Sequence, residues 1–359
     1  MALSTIAISA SAKAGVQSKE DANIIDFVEA PWGLGMTLFP VQKVILKAHY
    51  GLELDDVKRF KISDWRRQHF RDVTEKEYLQ LLFDEGRCNI GQVIPGKERR
   101  EMVLSIGRRS GKTTISACIA AYETYKLIRK QDPQEYYGLP ASNNIQIISV
   151  ATDKDQAGLL YNEVSGHFRN CAFFGPYTAN NTQSYARFQT PKDVERYGRY
   201  IEDPSAKATL KVTFRSCVAK GLRGAGNICV IMDEIAHFTE TGQSGAEEVY
   251  NAVVPSTSAY SPKDPTDRRI PVGPVEGRVI SISSPLGKQG LFYKLFQIGM
   301  QGGKASENML CVQAPTWEVN PTVPATEFEK HYLKNPAVFF TEYGGEFTDR
   351  TRGWIEDSK

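Results

Sequence analysis

One stretch limits the possible fold more than any other: EMVLSIGRRSGKTTISACIAAYETYKLIRK at 101–130. It opens on a nearly unbroken apolar run, turns through small and basic residues, and continues with apolar positions every three or four residues. Such a pattern predicts a buried strand entering an amphipathic helix through a tight turn. The texture then repeats. Apolar runs at 144–152 (NIQIISVAT), 208–214 (ATLKVTF), 227–234 (NICVIMDE), 277–284 (GRVISISS) and 308–313 (NMLCVQ) predict strands, and DKDQAGLLYNEVSGHFR, GAEEVYNAVV and KQGLFYKLFQIG predict helices among them. The alternation predicts an α/β fold with a mostly parallel central sheet covered by helices.

The flanking segments read differently. Residues 1–22 are small and polar and are expected to be disordered. Residues 23–100 are expected to form an N-terminal flap and helical subdomain, with helices over VQKVILKAHYG and TEKEYLQLLFDEG; 101–330 is the expected core; 331–359 reads as a helical tail and linker. The polar or Pro/Gly-rich segments 175–207 and 259–276 are expected surface loops. No apolar run approaches the roughly 18 residues of a membrane-spanning helix. Six cysteines are scattered without C-x-x-C pairs, which speaks against a zinc site or disulfide framework and for reduced core thiols in a cytosolic compartment. With 44 basic and 42 acidic residues the net charge is +2, so charge alone names no partner.

The turn GRRSGKTT at 107–114 lies where a phosphate-binding loop must lie, between a buried strand and a helix. Backbone N–H groups of Arg108, Arg109, Ser110, Gly111 and the helix start would surround phosphates. Lys112 would contact the β/γ oxygens, and the Thr113 hydroxyl, followed by Thr114, would ligate Mg²⁺. The spacing departs from G-x-x-x-x-G-K-T, because position 106 is Ile106 and Gly107 comes one residue late. In CVIMDE, four apolar residues run into two carboxylates at a strand end, where open α/β sheets place ligands. Asp233 would bind Mg²⁺ and Glu234 would polarise the attacking water, an arrangement suited to ATP hydrolysis.

Weaker signals surround these. Gln42, in LFPVQKVIL, carries an amide able to read an adenine edge, and is otherwise a surface glutamine. Arg108 and Arg109 sit in the loop, one of them expected to face solvent; Arg223 lies on the turn GLRGAG, placed to reach a neighbour's γ-phosphate or to be a plain loop arginine. Ser283 and Ser284 end a strand just before Pro285. His237 is read as structural.

Together, the PVQ flap, the GRRSGKT loop, the RG turn before an apolar-Asp-Glu strand, and a strand ending SSP before LFYKLF resemble the large terminase subunit of tailed bacteriophages over roughly 30–350. The resemblance implies a P-loop NTPase of the RecA-like additional-strand type that uses ATP and Mg²⁺ to pump double-stranded DNA into a procapsid through a portal protein. It implies an ATPase centre of Lys112, Thr113, Asp233 and Glu234, adenine contact by Gln42, and Arg109 or Arg223 as sensor or trans finger. Ser283, Ser284 and Pro285 match the motif that couples hydrolysis to movement. The implied partners are the portal, a small terminase subunit and further copies in a homo-oligomeric ring, a pentamer on the portal and a monomer alone. The implied location is the host cytoplasm and, transiently, the procapsid, with no membrane. EYGGEFTDRTRGWIED resembles the linker into a nuclease domain; the sequence stops at Lys359, so no nuclease activity is expected of these residues.

Two other readings stay open: a helicase of another P-loop family, against which stands the short stretch after Pro285, and a catalytically idle nucleotide-binding scaffold subunit, against which stand Lys112 and Glu234. DNA contact, at so small a net charge, is expected to depend on local clusters such as Lys97, Arg99, Arg100, Arg268 and Arg269.

Overall fold

The computed structural model describes residues 22–217, 222, 226–239 and 245–349. The expected disordered start, Arg223 and the end of the tail lie outside the described residues, apart from Ala22. Ten strands are present among them: β1 (Phe60–Ser63), β2 (Phe70–Val73), β3 (Glu101–Ile106), β4 (Ile145–Ala151), β5 (Thr178–Asn181), β6 (Tyr185–Phe188), β7 (Leu210–Ser216), β8 (Asn227–Asp233), β9 (Arg278–Ser283) and β10 (Met309–Ala314). β1 and β2 form an antiparallel hairpin, and the other eight form one sheet in the order β10-β3-β9-β8-β4-β7-β6-β5. β10 runs parallel to β3, and β4 runs parallel to both β7 and β8. Every residue of β4, β8 and β9 is buried. Parallel strands covered on both faces must be apolar throughout, which is why these runs were legible without alternation.

All six expected strands are found. The reading of 175–207 as a surface loop is corrected: it holds β5, β6 and the helix Pro191–Tyr197. β5 and β6 close one edge of the sheet in antiparallel pairing, where TANN needs no apolar run because only part of it is covered. The helix starts with a capping box, Thr190 accepting from Asp193 N–H while the Asp193 carboxylate accepts from Thr190 N–H.

The chain clusters into two compact units, each discontinuous in sequence. One holds the described residues within Met1–Leu38, Thr113–Asp233 and Thr241–Ile280. In it Phe27 stacks on Tyr125 at 4.7 Å and meets Phe174 edge-on, so the helix Ile24–Glu29 is fastened to the helix Lys112–Arg129 by aromatic contacts. The buried ions Glu123 and Arg278 lie 2.8 Å apart in the same unit.

The other unit holds Phe39–Lys112, Glu234–Glu240 and Ser281–Lys359, as far as these are described. Its C-terminal helices pack around Val323, Phe328, Phe339 and Tyr343, with Trp65, Trp317, Tyr332 and Phe340 against them. Arg99, read from the sequence as a surface cation for DNA, is buried here and donates to the Ala48 carbonyl at 2.8 Å. It belongs to the core and presents no charge to a partner. All six cysteines are buried thiols outside any disulfide. No helix among the described residues is long and apolar enough to cross a membrane.

Candidate nucleotide site

The turn after β3 is shaped by close backbone approaches, and Gly107 sits at the tightest of them. A Cβ there would fall 2.2 Å from both the Thr316 hydroxyl and the Tyr343 carbonyl oxygen. The glycine displaced by one from the usual spacing is therefore fixed by packing, while Ile106, still inside the strand, is fully buried. Gly107→Ala is expected to lower the unfolding free energy by about 1–3 kcal/mol, since a backbone oxygen cannot rotate away. A urea transition with unaltered midpoint would refute this.

The loop is held from several sides by the same unit. Arg108 N–H donates to the Glu342 carbonyl at 2.6 Å, Thr316 Oγ1 to the Arg108 carbonyl at 2.8 Å, and Asn320 Nδ2 to the Arg109 carbonyl at 2.7 Å. Ser110, fully buried, donates its hydroxyl to Gly107 O at 2.6 Å. Arg109 and Gly111 both take left-handed backbone, φ 64° and 83°. Such alternation turns successive N–H groups into a concavity suited to anions, and the first N–H groups of the helix Lys112–Arg129 have no partner within the helix.

At the end of this loop Lys112 is buried, its ammonium 3.4 Å from the Gly107 carbonyl and 3.2 Å from Glu234 Oε1. The other carboxylate oxygen of Glu234 lies 3.0 Å from Ser283 Oγ and accepts the Ser284 N–H at 3.3 Å. Ser283 Oγ in turn accepts from Ala236 N–H at 3.3 Å and lies 2.7 Å from the Ser284 carbonyl, with one proton to give. Glu234 itself has φ 54°, a conformation uncommon for a residue with a side chain and characteristic of functional turns. One carboxylate thus links the loop lysine to the strand-end serines.

The remaining sequence-derived residues take these places. Gln42 is buried, not a surface glutamine: Oε1 accepts from Phe39 N–H and Nε2 donates to the Ser110 carbonyl at 3.3 Å, tying the helix Pro40–Tyr50 to the loop. The Arg108 guanidinium pairs with Glu342, and that of Arg109 lies 3.7 Å from Glu327; both arginines remain more than half exposed. Thr113 and Thr114 are half-buried in the first helical turn, Asp233 is buried at the end of β8, and Pro285 is buried after Ser284. His237 Nε2 is 3.9 Å from Glu234 Oε2. Sequence reasoning missed Thr316, Asn320, Glu327, Glu342 and Tyr343. The only signal was that APTW, too, follows a strand in the sheet.

Comparison with known proteins places this geometry among P-loop domains. A family model described as the N-terminal P-loop domain of uncharacterized protein MJ0330 matches residues 2–344. Among solved structures, the large terminase of bacteriophage HK97 aligns with a TM-score of 0.50 and 16% identity, over 89% of this chain and 53% of that one. The large terminase ATPase domain of Thermus phage P74-26 aligns with a TM-score of 0.49 and 23% identity, over 70% of this chain and 89% of that domain. At these identities the likeness to HK97 terminase is one of fold, and this chain spans about half of that structure's length. No curated protein matches the chain.

Proposed function

Because the chain belongs to the P-loop family described as the N-terminal domain of uncharacterized protein MJ0330, we propose that it is an ATPase. In this reading it is the ATP-hydrolysing motor of viral genome packaging, moving double-stranded DNA into a procapsid through a portal. The observation that carries the proposal is the Glu234 carboxylate, 3.2 Å from the loop lysine and 3.0 Å from a strand-end serine.

The roles follow from the chemistry of each group. Lys112 exchanges its carboxylate partner for β/γ-phosphate oxygens, while the loop N–H groups and the helix N-terminus hold the remaining phosphate charge. Released from the lysine, Glu234 orients and deprotonates the attacking water, and Ser283 keeps the freed carboxylate aimed. Thr113 and Asp233 offer a hydroxyl and a carboxylate, the hard oxygen donors that suit Mg²⁺; the ion, when bound, neutralises charge on the phosphate oxygens. Ser283 and Ser284 pass the change at Glu234 to Pro285 and the segment that follows. Gln42 faces adenine with its remaining amide capacity, and Arg109 or Arg223 completes a neighbour's site in a ring. The portal, a small terminase subunit and further copies of this chain are the partners of such a motor, in the host cytoplasm and on the procapsid.

The test is phosphate release from Mg·ATP, with and without duplex DNA, beside Lys112→Ala. The proposal expects release that duplex DNA stimulates and that the variant abolishes together with nucleotide binding. Nucleotide binding without release would favour the idle scaffold subunit. Separation of strands in a partial duplex would favour a helicase.

A further inference from the structure

Three successive carbonyls of the loop are each held from outside it by a side-chain donor. Thr316 Oγ1 lies 2.8 Å from Arg108 O, Asn320 Nδ2 2.7 Å from Arg109 O, and Gln42 Nε2 3.3 Å from Ser110 O. The Thr316 hydroxyl has one proton to give. The Tyr343 carbonyl, 3.1 Å from that hydroxyl, already accepts the Thr316 N–H at 2.8 Å, so the proton goes to Arg108 O. In a trans peptide the C=O of one residue and the N–H of the next point in opposite directions, and no cis peptide occurs among the described residues. Holding these three oxygens therefore aims the N–H groups of Arg109, Ser110 and Gly111, which the left-handed backbone at 109 and 111 gathers into the concavity.

The donors are themselves fixed. Thr316 and Asn320 start and end a single helical turn, Thr316–Val319 with Asn320 as its cap. Residues four apart lie on one face of a helix, which is how one turn serves two adjacent carbonyls. Between them the Glu318 carboxylate accepts from Tyr78 Oη at 2.7 Å and from Arg87 Nη1 at 2.9 Å. Just beyond them Arg67, itself on left-handed backbone, donates to the carbonyls of Pro321 and Val323. Asn320 Oδ1 accepts from the Thr322 N–H at 3.1 Å and from its hydroxyl at 2.6 Å, which leaves the amide nitrogen turned to Arg109. Every residue of this set belongs to the same compact unit.

We propose that Thr316 and Asn320 are positioning residues for the phosphate chain of a nucleoside di- or triphosphate. They act through the main chain of the loop, keeping its N–H groups aimed before the nucleotide arrives, so that binding spends little free energy on ordering them. The inference rests on the reading of the chain as an ATPase and adds to it the groups that preset its phosphate cradle.

The experiment titrates the full chain and its Thr316→Val, Thr316→Ser and Asn320→Ala variants with magnesium pyrophosphate by calorimetry, and with Mg·ATP in steady-state phosphate release. Pyrophosphate isolates the loop from any contact to the base. Thr316→Val and Asn320→Ala should each weaken pyrophosphate binding by about 3–10-fold, the loss expected when a ligand must order the groups that receive it. The KM for ATP should rise by a similar factor, with a smaller change in kcat. Thr316→Ser keeps the hydroxyl and should bind pyrophosphate within about twofold of the unaltered chain. Asn320 is only half-buried, so its truncation tests the loop without opening the interior. A merely structural role would lower the thermal midpoint and leave the affinity of the folded chain as it was. Unaltered pyrophosphate affinity in both variants, or Thr316→Ser as weak as Thr316→Val, would overturn the inference and leave the ATPase reading standing. If the unaltered chain binds neither pyrophosphate nor ATP, the ATPase reading itself fails.

Discussion

Glu234→Gln is expected to lower steady-state phosphate release by about 10²–10⁴-fold, the range for loss of a positioned general base, while nucleotide binding is kept or strengthened. The direction of the binding change follows from the ion pair. In the free chain Glu234 Oε1 holds the Lys112 ammonium at 3.2 Å, so incoming phosphate must compete with a carboxylate. A neutral amide competes less. Glutamine also tolerates the left-handed backbone at 234 as well as glutamate does, so the turn itself should persist. The measurement is paired: fluorescent-nucleotide titration for binding and single-turnover phosphate release for chemistry. Equal loss of both would make Glu234 a structural partner of Lys112 and would leave the chain without an identified base.

The second large effect concerns stability. Glu123 and Arg278 lie 2.8 Å apart with side chains only 4% and 2% exposed. Glu123→Gln takes a carboxylate from Arg278 and from Lys126, whose ammonium lies 3.4 Å from it, and is expected to lower unfolding free energy by about 3–5 kcal/mol. Replacing Glu123 and Arg278 together by Leu and Met should restore part of that loss, because desolvation of the two ions offsets some of their attraction while Lys126 still loses its carboxylate. Chemical denaturation of the two singles and the double, read as a thermodynamic cycle, decides it. A double variant as unstable as the sum of the singles would show that the ions act independently of each other.

The legibility of this fold in its sequence depended on burial. β3, β4, β8 and β9 were readable because strands covered on both faces must be apolar throughout. The hairpins β1–β2 and β5–β6 were not, since FRDV or TANN at an exposed edge satisfies its backbone by pairing and leaves no hydrophobic trace. In the site, Lys112, Glu234 and Ser283 were visible because their side-chain chemistry fits their positions at element ends. Tyr343 was invisible for a different reason: it reaches the loop through its main-chain carbonyl, which any residue type would supply. Gln42 and Arg99 show the converse error of reading polar type as exposure, since each is buried and hydrogen-bonded to backbone, Gln42 to the Phe39 N–H and the Ser110 carbonyl and Arg99 to the Ala48 carbonyl.

The clamp on the loop also sets an order of events during synthesis. The contacts from Thr316 and Asn320 to the loop span 206 to 211 residues of chain, and that from Tyr343 is longer still. At about 5–20 residues per second, a ribosome that has just made the loop needs roughly 10–50 s more to deliver Tyr343. During that interval the GRRSGKTT segment exists without the groups that fix its curvature. A nascent chain released before Tyr343 has emerged would carry the GRRSGKTT segment yet lack the backbone groups that shape it, so the curvature of the loop is gained only once residue 343 has been made.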